Sequence, residues 1–356
     1  MTRWHVFLAV WAMFLIAAVT VLSGIVPIQA SSGHWRTTAW MLDLIKRRSV
    51  DFYSHKIEVP RLNEPSLIAR GAAHYERACR PCHGSPAADR PPLMMKMTPH
   101  PPFLPERVAR WTDAELFQIV KHGIKFTGMP SWPAPSRNDE VWATVAFLRI
   151  LDDLTPQHYW RLAVGEPAHP GSSMPPITVC AACHGADGLG RDGGGFPVLA
   201  GQSSGYMKRA LDAYAEGIRY SGVMGQIAAA LDPQAGDTVI AHYAALPPPA
   251  HNAGRLRQGF GAQGLVAAGE ALALRGASAQ RIPPCVECHR RSDRHPDYPR
   301  LDGQHADYLL LQLQLFKEGR RGGSPLAEIM RPIAERLTAA QQQDVAAYFA
   351  GAASAR

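Results

Sequence analysis

The sequence predicts an all-α chain: a terminal apolar helix followed by three small helical domains in tandem. Three observations carry that expectation. Apolar residues recur at three- and four-residue steps (Leu211, Tyr214, Ala215 and Ile218; Val239, Tyr243 and Leu246; Leu309, Leu313 and Phe316), and no segment alternates as a strand would. The run Val6 to Val26 leaves the apolar set only at Thr20, Ser23 and Gly24. A short cysteine motif recurs three times, opening at Cys79, Cys180 and Cys285.

Composition bounds the possibilities. A chain of 356 residues has room for two or three domains. With 46% hydrophobic and 19% charged residues it is not a disordered chain. Its 31 glycines and 30 prolines indicate abundant loop. Lys+Arg 37 against Asp+Glu 30 leaves +7, thinly spread, with no basic run longer than Lys46-Arg47-Arg48. A nucleic-acid partner needs a concentrated basic face, and none is written here.

The terminal helix comes first. No Asp, Glu, Lys or Arg occurs from Val6 through Trp35. As a helix, Val6 to Val26 spans about 30 Å, the thickness of a bilayer core. Arg3 favours a cytoplasmic N-terminus, and Trp4 and Trp35 suit the two interfaces. A cleaved signal peptide is the alternative: Ala30 suits the position before the cut, but Ile28 is not small and the apolar run is long for such a leader. Residues 1–30 are therefore an anchor or signal segment, and both readings export the rest. Residues 31–65 connect it to the first domain, with a short helix expected around Thr38–Arg47.

The three domains are expected at 66–152, 165–248 and 262–352, with linkers near 153–175 and 247–262. The second and third look duplicated. Phe196-Pro197-Val198-Leu199-Ala200-Gly201-Gln202 with Tyr206 matches Tyr298-Pro299-Arg300-Leu301-Asp302-Gly303-Gln304 with Tyr308, and Glu216-Gly217 matches Glu318-Gly319. Met224-x-x-Ile227-Ala228-x-x-Leu231 then matches Met330-x-x-Ile333-Ala334-x-x-Leu337. The first domain diverges but keeps Pro102-Phe103-Leu104 after its motif. It adds a capping-box signature, Thr112-x-x-Glu115, and a helix around Asp139–Leu151. Short helices and long loops make a thin core for so many residues unless something large and apolar fills it.

The motif names that filler. All six cysteines fall in pairs two residues apart, each followed by histidine: Cys79, Cys82 and His83; Cys180, Cys183 and His184; Cys285, Cys288 and His289. With 15 histidines in the chain, three such coincidences by chance are on the order of one in ten thousand. Two thiols at this spacing add to the two vinyl groups of one haem, and the next imidazole reaches its iron. This is the attachment pattern of haem c. Zinc sites usually take two cysteine pairs per metal, and three do not divide evenly. A thioredoxin-like pair expects one motif and no following histidine.

The opposite iron ligand must come from elsewhere. Met330 is the only methionine after His289, 41 residues on; Met224 lies 40 beyond His184 in the aligned position. In the first domain Met129 lies 46 beyond His83. Met207 is the rival in the second domain, and Met94, Met95 and Met97 stand close after His83. Histidines 100, 122, 242 and 305 are alternatives that would make a lower-potential haem. The carbonyls of Pro102, Pro197 and Pro299 are candidates to accept the second N–H of each motif histidine.

These residues resemble the class I cytochromes c. Cys180-Ala181-Ala182-Cys183-His184-Gly185, the Pro-x-Leu-x-Gly-Gln…Tyr segments, Met224 and Met330 are similar to dihaem periplasmic members. Cys79-Arg80-Pro81-Cys82-His83-Gly84 and Gly128-Met129-Pro130-x-Trp132 are similar to the monohaem type. The third domain departs at Arg290-Arg291, where glycine follows the histidine in the other two. The resemblance covers about residues 66–350 and implies three tandem class I cytochrome c domains, each wrapping one of three covalent haems. A three-motif, tethered chain is also similar to the cytochrome subunits of membrane-bound alcohol and gluconate dehydrogenases.

The expected function is electron transfer on the periplasmic side of a bacterial inner membrane, without catalysis. Its redox partners would be a dehydrogenase, a cytochrome bc complex or a terminal oxidase. The chain would be soluble in the periplasm if its leader is cleaved. The alternatives are a cytochrome subunit of a dehydrogenase or oxidase complex, and a haem peroxidase if one iron is five-coordinate. Six propionates would nearly cancel the +7, leaving docking to local patches.

Overall fold

The computed structural model describes residues 3–165, 176–191, 194–249, 262–290 and 296–351. Among them the regular structure is helical, and the only β pairings are two isolated bridges, Ser85 with Ala88 and Ala277 with Ile282. The N-terminal apolar helix α1 (Arg3–Leu22) reaches a mean hydropathy of 2.4 over 18 of its residues and has no buried residue. Helix α2 (Arg36–Ser54) extends well past the Thr38–Arg47 expected, because Val50 and Ser54 of its last turns find cover on the protein.

Around the first motif, α3 (Pro65–His74) leads through a π-helical turn (Tyr75–Cys79) into α4 (Arg80–His83). Helix α5 (Asp113–His122) opens on the expected capping box, Thr112 and Glu115 each satisfying the other's backbone N–H. Helix α2 packs on α5, and α6 (Asn138–Ile150) crosses α3. The crossing needs glycine: a Cβ on Gly71 would lie 2.0 Å from the Ala143 carbonyl oxygen. Tyr75, Val145, Phe147, Leu151 and Tyr159 make a core shielded from solvent, with Cys79 packed against it. Tyr159 belongs to α7 (Pro156–Ala163), in a stretch expected as linker. Thr155 caps that helix, and its buried tyrosine donates to Glu76 Oε2 at 2.5 Å. A capped helix with a ring to bury joins the core instead of crossing solvent.

The second motif ends α8 (Pro176–His184), followed by α9 (Ser204–Ala215), α10 (Met224–Ala229) and α11 (Pro233–Ala245). Cys180 packs with Met207, Val239, Ile240 and Tyr243, so Met207 is core. The third follows α12 (Ala262–Arg275) and forms α13 (Val286–His289), then α14 (Ala306–Lys317), α15 (Pro325–Arg336) and α16 (Ala339–Gly351). Helix α12 crosses α16 as α3 crosses α6, and a Cβ on Gly269 would lie 2.0 Å from the Asp344 carbonyl oxygen. Cys285 packs against Ala273, Leu309, Ala346 and Phe349. Most of the two expected linkers, and Arg291, lie outside the described residues.

The second and third segments meet through a reciprocal pair of glutamines. Gln202 donates to the Arg300 carbonyl (3.1 Å) and accepts from the Arg300 N–H (2.8 Å). Gln304 does the same to Val198, at 3.1 and 2.9 Å. Both amides are buried, so each bond replaces one that water would otherwise make. The matched sequences are thus matched in space about an approximate two-fold.

Candidate functional site

Each motif histidine sits on one proline carbonyl. The Nδ1 of His83 lies 2.9 Å from the Pro102 oxygen, that of His184 3.1 Å from Pro197, and that of His289 2.9 Å from Pro299. A carbonyl accepts, so Nδ1 carries the proton and donates, and Nε2 keeps its lone pair. Burial lowers the pKa of all three imidazoles, the proline carbonyls opposing it, so the rings stay neutral. A neutral ring with an oriented Nε2 is what an iron ligand requires.

The cysteines are half-buried thiols outside any disulfide. Burial pushes Cys79 up to about 12 and Cys285 up to about 11, and raises Cys180 as well. A redox-active pair needs a depressed thiol pKa, so the first cysteine of each motif has the wrong environment for thioredoxin-like chemistry. The pairs also sit against separate cores, which removes a zinc centre shared between them.

A tyrosine closes each motif. Tyr75 donates to the Gly84 carbonyl (2.7 Å) and Tyr243 to the Gly185 carbonyl (3.0 Å). Gly185 takes φ +78, a left-handed turn; Arg290, its counterpart in the third motif, has φ −113 and does not. The guanidinium of Arg290 instead forks the Asp302 carboxylate at 2.9 and 2.9 Å and donates to the Tyr348 hydroxyl at 3.2 Å. An ion pair replaces the glycine turn.

The expected distal ligands are all half-buried and lie in different settings. Met129 sits in a loop, its N–H on Thr127 Oγ1 at 3.1 Å; Met224 opens α10; Met330 lies within α15. Among the rivals, Met94 Sδ is 3.6 Å from Cys82 Sγ, and Met97 packs against Gly128. His242 Nε2 faces the Ala186 carbonyl at 3.3 Å and His305 Nε2 the Leu189 carbonyl at 2.9 Å, while His100 and His122 are exposed.

Two groups of site residues escape sequence reasoning. Arg219 is buried and Arg321 half-buried between the second and third segments. Arg219 donates to Tyr206 (3.3 Å), Tyr308 (3.2 Å) and Gln312 (3.4 Å), and Arg321 to Tyr206 (3.3 Å). No carboxylate pairs with either among the described residues, and the buried Nε of Arg321 has no partner. Burial alone would raise Tyr206; the two guanidiniums bring it down to about 8. Two cations drawn wholly or partly out of water without a counter-ion are costly, and haem propionates are the anions that would offset them. The signal was there, since Glu-Gly-x-Arg recurs at 216–219 and 318–321.

The other group is Glu140, in α6. Its carboxylate accepts from Ser221 Oγ (2.6 Å), the Gly222 N–H (2.7 Å) and Trp132 Nε1 (3.2 Å), and pairs with Arg137 (3.2 Å). Burial raises its pKa, with Arg137, Ser221 and Gly222 opposing. Ser221 Oγ in turn accepts from the Met224 N–H at 3.0 Å. The first segment thereby holds the loop that presents Met224. It also covers the second motif, with Ala69 and Ala73 against Phe196 and Cys183, and with Arg77 donating to the Val179 carbonyl at 2.7 Å.

Helices closed around thiol pairs, neutral histidines with oriented Nε2 atoms, and inward arginines without a carboxylate partner define a protein that holds haem c. Family models and sequence relatives agree. Residues 66–148 match the model for the cbb3-type cytochrome c oxidase subunit III, and residues 176–242 the model for cytochrome c. A thiosulfate dehydrogenase electron acceptor from Stutzerimonas stutzeri is 39% identical over 182 residues, 51% of this chain and 82% of that one. Cytochrome c4 from Pseudomonas aeruginosa is 33% identical over 176 residues, 49% of this chain and 83% of that one. A crystal structure of reduced cytochrome c4 from Pseudomonas stutzeri aligns with a TM-score of 0.44 at 28% identity, covering 49% of this chain and 94% of that one. The chain belongs to the cytochrome c family: it binds haem c covalently and transfers electrons.

Proposed function

We propose that the chain is a three-haem electron relay tethered to the membrane by α1, with one haem in each of three domains at 66–152, 165–248 and 262–352. The observation that carries this reading is the threefold recurrence of one local geometry: a thiol pair, then a histidine whose Nδ1 meets a proline carbonyl. Cys79 and Cys82, Cys180 and Cys183, and Cys285 and Cys288 would form the thioethers. His83, His184 and His289 would be the proximal ligands, and Met129, Met224 and Met330 the distal ones. A bound haem supplies a one-electron couple, set high by a thioether ligand. The protein's part is to fix Nε2, exclude water from the ring, and neutralise propionates with Arg219 and Arg321. With every iron six-coordinate, no position is left for a substrate, so the chain is a carrier and not a catalyst.

The relatives' names favour a dehydrogenase, thiosulfate dehydrogenase among them, as electron donor, with a terminal oxidase on the other side. The same names favour a second reading, a cytochrome subunit within such a complex, which co-purification tests. The haem reading is tested by alkaline pyridine haemochrome and intact mass. Three haems per chain are expected, and the Cys180→Ala/Cys183→Ala variant should lose one third of them. Unchanged haem in that variant, or pigment extracted by acidic acetone, overturns it.

A further inference from the structure

Helix α2 has two dissimilar faces. One packs on α5 and buries Val50 and Ser54. On the other, at 100° steps, lie Trp40, Met41, Leu44, Ile45 and Phe52, which are 64%, 48%, 40%, 56% and 65% exposed. Arg48 stands in the middle of that stripe and Asp51 within its edge, both exposed. Lys46 and Arg47 both pair with Asp43, at 2.6 and 2.8 Å. Arg36, Lys46, Arg47 and Arg48 against Asp43 and Asp51 leave the helix at +2. Such a stripe in water marks a surface that something apolar covers.

We propose that this face of α2 lies in the headgroup layer of the bilayer that α1 enters, making α2 a second, interfacial contact that seats the first motif segment on the membrane. Three features of the chain select lipid. Helix α1, apolar without interruption from Val6 to Val19 and without a buried residue, is joined to α2 by 13 residues. The chain leaving α1 is tied to the first motif segment, because Thr98 Oγ1 donates to the Ala30 carbonyl at 2.5 Å. From Ala30 to Arg36 even extended chain reaches only about 20 Å, so α2 starts near the membrane end of that segment. Side-chain chemistry agrees: Trp40 suits the interface, the apolar stripe suits the acyl boundary, and Arg48 on its long stem reaches a lipid phosphate. The inference rests on α1 entering a bilayer; the mass of the chain extracted from membranes reports separately whether α1 is retained.

The test uses the full, haem-loaded chain in nanodiscs of phosphatidylcholine, with and without one part in three of phosphatidylglycerol. Nitroxide labels are placed singly by Leu44→Cys, Ile45→Cys and Phe52→Cys, with Glu58→Cys as the exposed control. The unsubstituted chain takes no label if its thiols are thioethers, which isolates any failure of the haem reading. The ratio of collision rates with dioxygen and with a nickel chelate should be about fivefold or more higher at 44, 45 and 52 than at 58. Adding Trp40→Glu and Phe52→Glu to the Ile45→Cys chain should return its ratio to the control value with haem content unchanged. Ratios at 44 and 52 equal to the control overturn the proposal. So do low collision rates with both reagents, which would put a protein, or a second copy of this chain, on that face.

Discussion

Replacing Glu140 by glutamine removes one charge from the junction between the first and second segments and adds no bulk. Every group facing that carboxylate is a donor: Ser221 Oγ and Arg137 on one oxygen, the Gly222 N–H and Trp132 Nε1 on the other. An amide offers one oxygen, so whichever way it turns, its NH2 meets two donors. Ser221 cannot adapt by rotation, because its oxygen already accepts from the Val223 and Met224 N–H groups. At about 1.5–3 kcal/mol for a hydrogen bond to a charged group, losing two makes the junction weaker by about 3 kcal/mol or more. Glu140→Ala should cost at least as much, since it leaves Trp132 Nε1 and the Gly222 N–H buried and unpaired. The assay is urea unfolding of the oxidised protein, followed together with the sulfur-to-iron charge-transfer band. Stability should fall by that amount, and, with Met224 as the proposed ligand, its share of the band should weaken, with the surface change Glu106→Gln as control. A Glu140→Gln protein within about 0.5 kcal/mol of the parent, with its band intact, would refute the account of this junction.

Other perturbations separate the remaining features. Gly71→Ala and Gly269→Ala each push a methyl to within 2.0 Å of a helix carbonyl, so each should destabilise by about 1–3 kcal/mol in thermal unfolding. Arg290→Gly should leave the Asp302 carboxylate without its fork, and the loss should be undone in part by Asp302→Ala in a double-mutant cycle. Burial of His74 beside Trp132 lowers its pKa to about 4. Its unfolded form takes a proton near 6.5, so the folded protein keeps its full stability above that pH. It loses about 1.4 kcal/mol per unit as pH falls toward 4. His74→Gln should flatten that slope in melts across this range. Replacing Met224 by histidine should lower one of the potentials in a redox titration and leave the others in place.

Much of this protein is written locally. The attachment motif occupies five consecutive residues, the apolar span is contiguous, and the capping box is four residues long, so each was legible without a fold. The proline carbonyls were legible too, since 10 to 19 residues separate each from its histidine along a loop that has to close. The helix at 156–163 was missed because proline at its start reads equally as linker or as first turn. What tertiary structure alone decided lies across long separations. The Gln202 and Gln304 clasps join residues 98 and 106 apart, Glu140 reaches 81 and 82 residues to Ser221 and Gly222, and Arg219 reaches 89 to Tyr308. Buried polar groups must find partners wherever docking places them. A linear pattern records that glutamine, glutamate and arginine are present, and only the packed domains decide that they are inside.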